Sequence, residues 1–369
     1  MGERVVILGG GIIGLASAFE CQRRGHEVTI VEKVRCGGQA TGAAAGMLAP
    51  YSEIGEDPDD FFRLCLESLH LYPQWQQDIK DISNVDFEYT NSGSLHCVYH
   101  DADLLALESR QQWQGEFGAD ARILSGEELF RLEPELSKEI IAAMYYPEES
   151  HVYAPDYAKS LEVACRNLGV AIYDELEEVS ITSWQEEIEV KAKDGRTFTG
   201  DRLIISSGAW SKELEDTFDI SIPVYPIRGQ ICAYPLPVGK VKHIIYTSQG
   251  YLVPKGNGTI VNGASEDIAG FQTSVTDKGI ARLTNWNKHV LPFLEQETPF
   301  HTWAGLRPAT QDGYPLLGQL SRAPHIIFAT GHYRNGILLS PVTGHIVADI
   351  LEQKKERVPL GIFHPERFS

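Results

Sequence analysis

The chain is short of positive charge: among 369 residues, 32 lysines and arginines face 51 aspartates and glutamates, a formal charge of -19. Nucleic acid and anionic membrane both require a basic footprint, so neither is expected as a general partner. A small zwitterion or anion held by one local arginine remains compatible. Long apolar runs are also lacking. No stretch approaches the roughly 18 continuous apolar residues of a membrane span. The first apolar run, 5–8, leads into three glycines without the basic leader and apolar core of a secretory signal. A cytoplasmic protein is expected. The six cysteines (Cys21, Cys36, Cys65, Cys97, Cys165, Cys232) form no C-x-x-C pair, which points to reduced, mostly buried thiols. No metal-ligand cluster, catalytic triad, internal repeat or low-complexity tract stands out. What is present is ordinary globular composition, 43% hydrophobic and 22% charged, over a length suited to about two domains.

The first segment reads as a βαβ unit. Val5-Val6-Ile7-Leu8 is a buried strand, 11–24 carries a helical apolar pattern closed by Gly25, and Val28-Thr29-Ile30-Val31 is the next strand. A helix-rich region with an acidic loop at 53–60 follows, and that loop is a candidate lid. Short strands are expected over 86–98, a helical stretch over 103–137, and a helix over 155–168 with Pro155 in its first turn and Gly169 past its end. Buried β character returns before the turn Ser207-Gly208-Ala209-Trp210. Strands then alternate over 222–265, a helix covers 276–293, and the chain closes with a strand from 325 to 329, a glycine turn, and an amphipathic helix opened by Ser340-Pro341. Dinucleotide-type segments are thus interleaved with strand-rich ones. The expected class is α/β with two discontinuous domains: 1–84, 150–215 and 305–369 in one, 85–149 and 216–304 in the other.

Gly9-Gly10-Gly11-Ile12-Ile13-Gly14 fits G-x-G-x-x-G in its required setting, between a strand and a helix. Its glycines let backbone approach a pyrophosphate whose charge the helix N-terminus offsets. Glu32, at the end of the second strand and close to the expected offset of about 20 residues, suits ribose hydroxyls. An acid at that position favours an unphosphorylated ribose, hence FAD or NAD. The small-residue stretch Gly37-Gly38-Gln39-Ala40-Thr41-Gly42-Ala43-Ala44-Ala45-Gly46-Met47-Leu48 favours FAD, because backbone there can run along an extended cofactor and its ring.

With these motifs stand Pro226-Ile227-Arg228-Gly229-Gln230, Tyr251-Leu252-Val253-Pro254, WAGLRPATQDGYPLLG at 303–318 and GHYRNGILLSPVTG at 331–344. In this order and spacing the chain resembles the glycine oxidase branch, of the thiamine-pathway type, in the D-amino-acid oxidase superfamily. The resemblance spans nearly the full length. It implies an FAD-binding domain of the glutathione-reductase (Rossmann-like) type and a substrate-binding domain built on a mixed, antiparallel-rich sheet. It implies oxidative deamination of glycine and small amines such as sarcosine and D-alanine, with hydride passing to the flavin, oxygen as acceptor and hydrogen peroxide as product. It also implies a homo-oligomer, with a tetramer suggested.

The resemblance carries over to particular residues. Arg307 matches the arginine that pairs with the substrate carboxylate, a task for which a guanidinium fork suits the planar anion. Tyr251 matches a second partner of that carboxylate, and Arg334 a residue beside the amine, acting through its backbone carbonyl. The expected cofactor contacts are Gly9, Gly11, Ile12, Ile13, Gly14, Glu32, Lys33, Thr41, Ala44, Ala45, Gly46, Met47, Leu48, Val179, Ser207, Gly208, Trp210, Gly331, His332, Arg334, Asn335, Gly336, Ile337 and Leu338. No cysteine lies near Ala304-Gly305-Leu306, where sarcosine oxidases tether their flavin, so FAD is expected to be non-covalent. His332 is not required as a base, since orientation and electrostatics suffice. Glu266 reads as a solvated loop acid, with projection toward the pocket and a bias against bulky or acidic substrates as the alternative, and Gln249 as a pocket liner on the strand face of Tyr251. The competing activities are a D-amino-acid dehydrogenase, a sarcosine oxidase-like enzyme and, more remotely, a tRNA-modifying FAD module; a flavoprotein without activity is the plainest alternative.

Overall fold

The computed structural model describes residues 2–54 and 58–369. Positions 55–57 of the acidic loop, the candidate lid, lie outside the described residues. Two large sheets organise the chain. The first has six strands in the order Leu316–Leu320, Ala323–Thr330, Arg202–Ile205, Arg4–Leu8, Glu27–Val31 and Ala171–Tyr173. All neighbours run parallel except the antiparallel pair at the Leu316–Leu320 edge. The central strands are continuous apolar runs such as Val5 to Leu8, as expected where both faces of a sheet are covered.

The second sheet has eight strands, ordered His301–Thr310, Val224–Pro235, Thr259–Gly263, Gly250–Lys255, Ile244–Thr247, Ser94–Val98, Ala142–Tyr146 and Arg122–Ser125. It is antiparallel apart from the pairing of Ile244–Thr247 with Ser94–Val98. His301–Thr310 pairs along its whole length with Val224–Pro235, so a boundary at 304/305 falls inside a strand. The stretch 103–137 is not continuously helical. Helix Asp101–Glu116 ends near Gly118, strand Arg122–Ser125 follows, and a short helix covers Gly126–Leu132.

Helix Ile12–Arg23 follows the first strand and buries ten of its twelve residues, because the sheet covers one side and the closing helix another. The closing helix spans Gly336–Leu351, starting four residues before Ser340, and it is buried nearly all round rather than amphipathic. Pro341 therefore lies inside it and cannot donate to the Ile337 carbonyl four residues back. The hydroxyls of Tyr72 and Ser340 donate to that carbonyl instead, and the Ser68 hydroxyl donates to Leu338 O at 2.6 Å. With these outside donors the helix continues through its proline. The two helices approach closely at Gly344, where a Cβ would stand 2.7 Å from the Ala16 carbonyl.

Candidate active site

One cleft runs between the two sheets, with about 1690 Å³ of empty space including its mouth. At one end lie Gly9, Gly11, Ile12, Ile13, Glu32, Lys33 and Val179. Its middle is walled by Thr41, Ala44, Ala45, Gly46 and Met47, and by Ser207, Gly208 and Trp210. At the other end are Gly331, His332, Arg334, Gly336 and Ile337, with Tyr251 and Arg307.

The cofactor end is built from backbone. Helix Ile12–Arg23 begins with no acidic residue in its first turn and no capping side chain of its own, which leaves its positive end facing the cleft. The Thr41 hydroxyl accepts from Ile12 N at 3.0 Å and brings the small-residue stretch up to that end. Glu32 accepts from Gly10 N at 2.6 Å and from Val34 N at 2.9 Å, which fixes its carboxylate beside the turn. Lys33 pairs with Glu213 at 3.1 Å. A helix start free of acids, an anchored acid and a narrow walled trough fit an FAD: the pyrophosphate at Gly11 to Ile13, a ribose at Glu32, the ring along 44–47.

Four expected contacts sit behind this lining. Gly14 faces the Gly9 carbonyl so closely that a Cβ would stand 2.0 Å from it, so its part is to let helix and strand meet. Leu48 and Leu338 are buried in the main core, and Asn335 caps the closing helix, its N–H donating to His332 O at 2.8 Å.

The second sheet pins the small-residue stretch from the opposite side. Trp303 Nε1 donates to Ala43 O at 3.1 Å, and Lys255 Nζ donates to Ala45 O at 2.7 Å and Val152 O at 2.9 Å. Val152 N in turn donates to Gly46 O at 2.8 Å. Lys255 is fully buried, and desolvation pulls its ammonium down to about 7. Sequence reading did not single it out, and a lysine in an otherwise apolar strand was the available signal.

Arg307 and Tyr251 meet on the sheet face above that stretch. Tyr251 lies opposite Gly263, and the register sets Gly229 opposite Gly305, two residues before Arg307. Both glycines make space for side chains: a Cβ on Gly229 would stand 2.4 Å from the Arg307 guanidinium, and one on Gly263 2.6 Å from the Tyr251 ring. Arg307 Nη1 donates to Ser265 O at 3.0 Å, which fixes its fork, and the Tyr251 hydroxyl lies in the same cleft within the field of its charge. Burial raises the Tyr251 phenol while Arg307 and Arg334 oppose the shift, so the hydroxyl stays protonated and able to donate.

The Arg334 side chain is tied down by neighbouring groups. Its guanidinium donates to Tyr246 Oη at 3.0 Å and lies 3.4 Å from Glu266 and 3.8 Å from Glu53. The Glu53 carboxylate raises the Arg334 pKa, and burial raises that of Glu53. Glu266 is not itself part of the cleft lining but stands beside two residues that are, Arg334 and Tyr333, whose hydroxyl donates to it at 2.9 Å. Gln249 does not line the cleft: it is exposed in the turn between strands Ile244–Thr247 and Gly250–Lys255, its N–H bonded to the Thr247 hydroxyl at 3.1 Å. His332 is buried, with Nε2 3.0 Å from the Thr343 hydroxyl, and desolvation lowers its pKa to about 3. A neutral imidazole locked in this way is a strut of the turn.

Among the described residues no three His, Cys, Asp or Glu side chains are grouped to hold a metal, and no helix is long and apolar enough to cross a membrane. All six cysteines are buried and free.

Comparison with known proteins agrees with this geometry. A family model described as DAO, FAD dependent oxidoreductase, matches residues 4–350. A glycine oxidase of Geobacillus kaustophilus is 35% identical over 97% of this chain and 95% of its own length. A bifunctional protein ThiO/ThiG of Nostoc sp. is 31% identical over the whole chain, which spans 55% of that longer protein. The crystal structure of glycine oxidase from Geobacillus kaustophilus superposes with a TM-score of 0.93, at 31% identity, over 99% of both chains. The cleft, its anchored acid and its paired arginine and tyrosine are thus those of a chain that belongs to the DAO family of FAD dependent oxidoreductases.

Proposed function

We propose that the protein oxidises glycine and small amines such as sarcosine and D-alanine, with non-covalent FAD as cofactor and oxygen as acceptor. The observation that carries this reading is the pairing of Arg307 with Tyr251 in the same cleft as the helix start and the small-residue trough. A bidentate guanidinium and a protonated phenol together recognise one carboxylate, and they sit where its α-carbon would face residues 44–47. FAD held in this cleft would supply the two-electron acceptor for the α-hydride, with oxygen as the final acceptor.

The chain's own groups account for the remainder. Arg307 and Tyr251 hold the substrate in one orientation, which removes the entropy of alignment from the chemical step. The substrate ammonium gives its proton to solvent before hydride departs, and His332, whose ring stays neutral in its buried pocket, is not needed for that step. The N-terminus of Gly336–Leu351 turns its positive end toward the cleft, where negative charge develops. The dehydrogenated product is an imine, which water converts to glyoxylate and ammonia when glycine is the substrate. The bifunctional ThiO/ThiG relatives support a further link, supply of glycine imine for the thiazole of thiamine. Oxygen uptake with glycine tests the reading: equal amounts of oxygen consumed and of glyoxylate, ammonia and peroxide formed are expected. Turnover only with an artificial acceptor would place the protein among the dehydrogenases instead.

A further inference from the structure

The substrate end of the cleft has a charge arrangement that limits which amino acids enter it. Its two guanidiniums, Arg307 and Arg334, are bridged by consecutive residues: Ser265 O accepts from Arg307, and the Glu266 carboxylate lies 3.4 Å from Arg334. Arg334 is already taken. Besides Glu266 it has Glu53 at 3.8 Å and Tyr246 Oη at 3.0 Å, and Glu266 is further held by the Tyr333 hydroxyl. Both carboxylates pair with Arg334 before any substrate arrives, which leaves Arg307, held by the Ser265 carbonyl, to take one substrate carboxylate. A second anionic group near Arg334 would meet Glu266, and among the described residues of this end no unpaired cation other than Arg307 stands ready to receive it. The Glu266 side chain is 49% exposed against 12% for Glu53, so it stands on the solvent side of Arg334 while Glu53 lines the cleft.

We propose that Glu266 is a specificity-determining residue that restricts the enzyme to amino acids carrying a single carboxylate, turning away those with a second anionic group on the nitrogen or side chain. The proposal rests on the oxidase reading above. Like charges set close together disfavour a wrong ligand more than they favour a right one, so the residue acts chiefly through exclusion.

Sarcosine and iminodiacetate test it, since both are N-substituted glycines and differ by one carboxylate. The native holoenzyme is expected to favour sarcosine in kcat/KM by at least about tenfold, and Glu266→Gln to shrink that ratio by about tenfold. Glu266→Lys shrinks it further. Added salt narrows the ratio in the native enzyme and does so less in Glu266→Gln, because a half-exposed charge is screened. The ratio between D-alanine and sarcosine, both single carboxylates, stays within a few-fold in the variants; a purely structural disturbance moves both ratios alike and overturns the assignment. Equal kcat/KM for sarcosine and iminodiacetate in the native enzyme overturns it, as does a ratio unchanged in both variants. If glycine, sarcosine and D-alanine all leave the flavin oxidised, the oxidase reading fails separately. The charge limit is then read from the unreactive isosteres methoxyacetate and diglycolate, titrated by flavin difference spectra. Tighter methoxyacetate binding that is lost in Glu266→Gln supports it, and equal Kd values contradict it.

Discussion

The two walls of the cleft work by different means. On the wall of the six-stranded sheet, recognition is done by backbone: a helix start free of acids, the turn it leaves, and one anchored acid, Glu32. On the wall of the eight-stranded sheet it is done by side chains, Arg307, Tyr251 and the Arg334 cluster, each in a space that a facing glycine or a neighbouring carboxylate provides. A cofactor that stays needs shape and a fixed dipole. A substrate that must enter and leave needs groups whose charge and reach distinguish it from its relatives. Changes on the first wall should therefore remove the flavin, and changes on the second should spare it and alter turnover.

The largest effect belongs to the first wall. Gly14→Val sets atoms inside the Gly9 carbonyl and forces helix from strand. Purified variant is expected without visible flavin absorbance or as insoluble protein, and a yellow, fully loaded variant would break the distinction between the walls. Next comes Gly229→Ala, whose Cβ displaces the Arg307 guanidinium. Flavin content should be retained, while KM for glycine rises by roughly ten- to a hundredfold, the loss of about 1.4–2.8 kcal/mol of charge-assisted binding. Tyr251→Phe removes one hydrogen bond to the same carboxylate, so kcat/KM should fall about tenfold, again with flavin retained.

The change most remote from flavin and substrate concerns the support of the second wall and is read as stability. Glu149 is buried and accepts from Ser52 N at 2.8 Å and from the hydroxyls of Ser52 and Ser94, holding the short helix Pro50–Glu53 whose last residue faces Arg334. Burial raises its carboxyl from 4.5 to about 7, against the pull of those hydrogen bonds. The folded state binds this proton more tightly than the unfolded state. Its contribution is therefore complete below about pH 4.5 and is lost as pH rises through about 7. The stability of the native protein relative to Glu149→Gln should fall by up to about 3 kcal/mol across that window, measured by denaturant unfolding at a series of pH values. A constant difference would contradict the protonated, buried acid.

The contrast between the walls also explains what could be read in advance. The first wall is written in local order: strand, GGGIIG, helix, strand, Glu32, all within 32 residues, so spacing alone placed the turn and its acid. Arg307 and Tyr251 were reached through the resemblance of whole motifs, and their meeting depends on a register across several strands that no local pattern encodes. The cluster around Arg334 draws on the end of a four-residue helix, a strand and two loops; Tyr246 carried no signal of its own, and Glu53 only that of the acidic loop it opens. Gln249 was misplaced because a period-2 face was extended into what is a hairpin turn. The start of the closing helix was set late because proline in a first turn is the common arrangement; hydroxyls from Tyr72 and Ser340, the former distant in sequence, satisfy the carbonyl that Pro341 leaves open.

Anaerobic reduction of the flavin by glycine, native protein against Arg307→Ala, tests the central claim most directly, that a carboxylate on Arg307 presents the α-carbon to FAD. Native protein should bleach with a rate that saturates in glycine. The variant should keep its flavin and reduce it roughly a hundredfold to a thousandfold more slowly at low glycine, the cost of removing one partner from a charge pair. A variant that bleaches as fast as the native protein at low glycine would contradict the account.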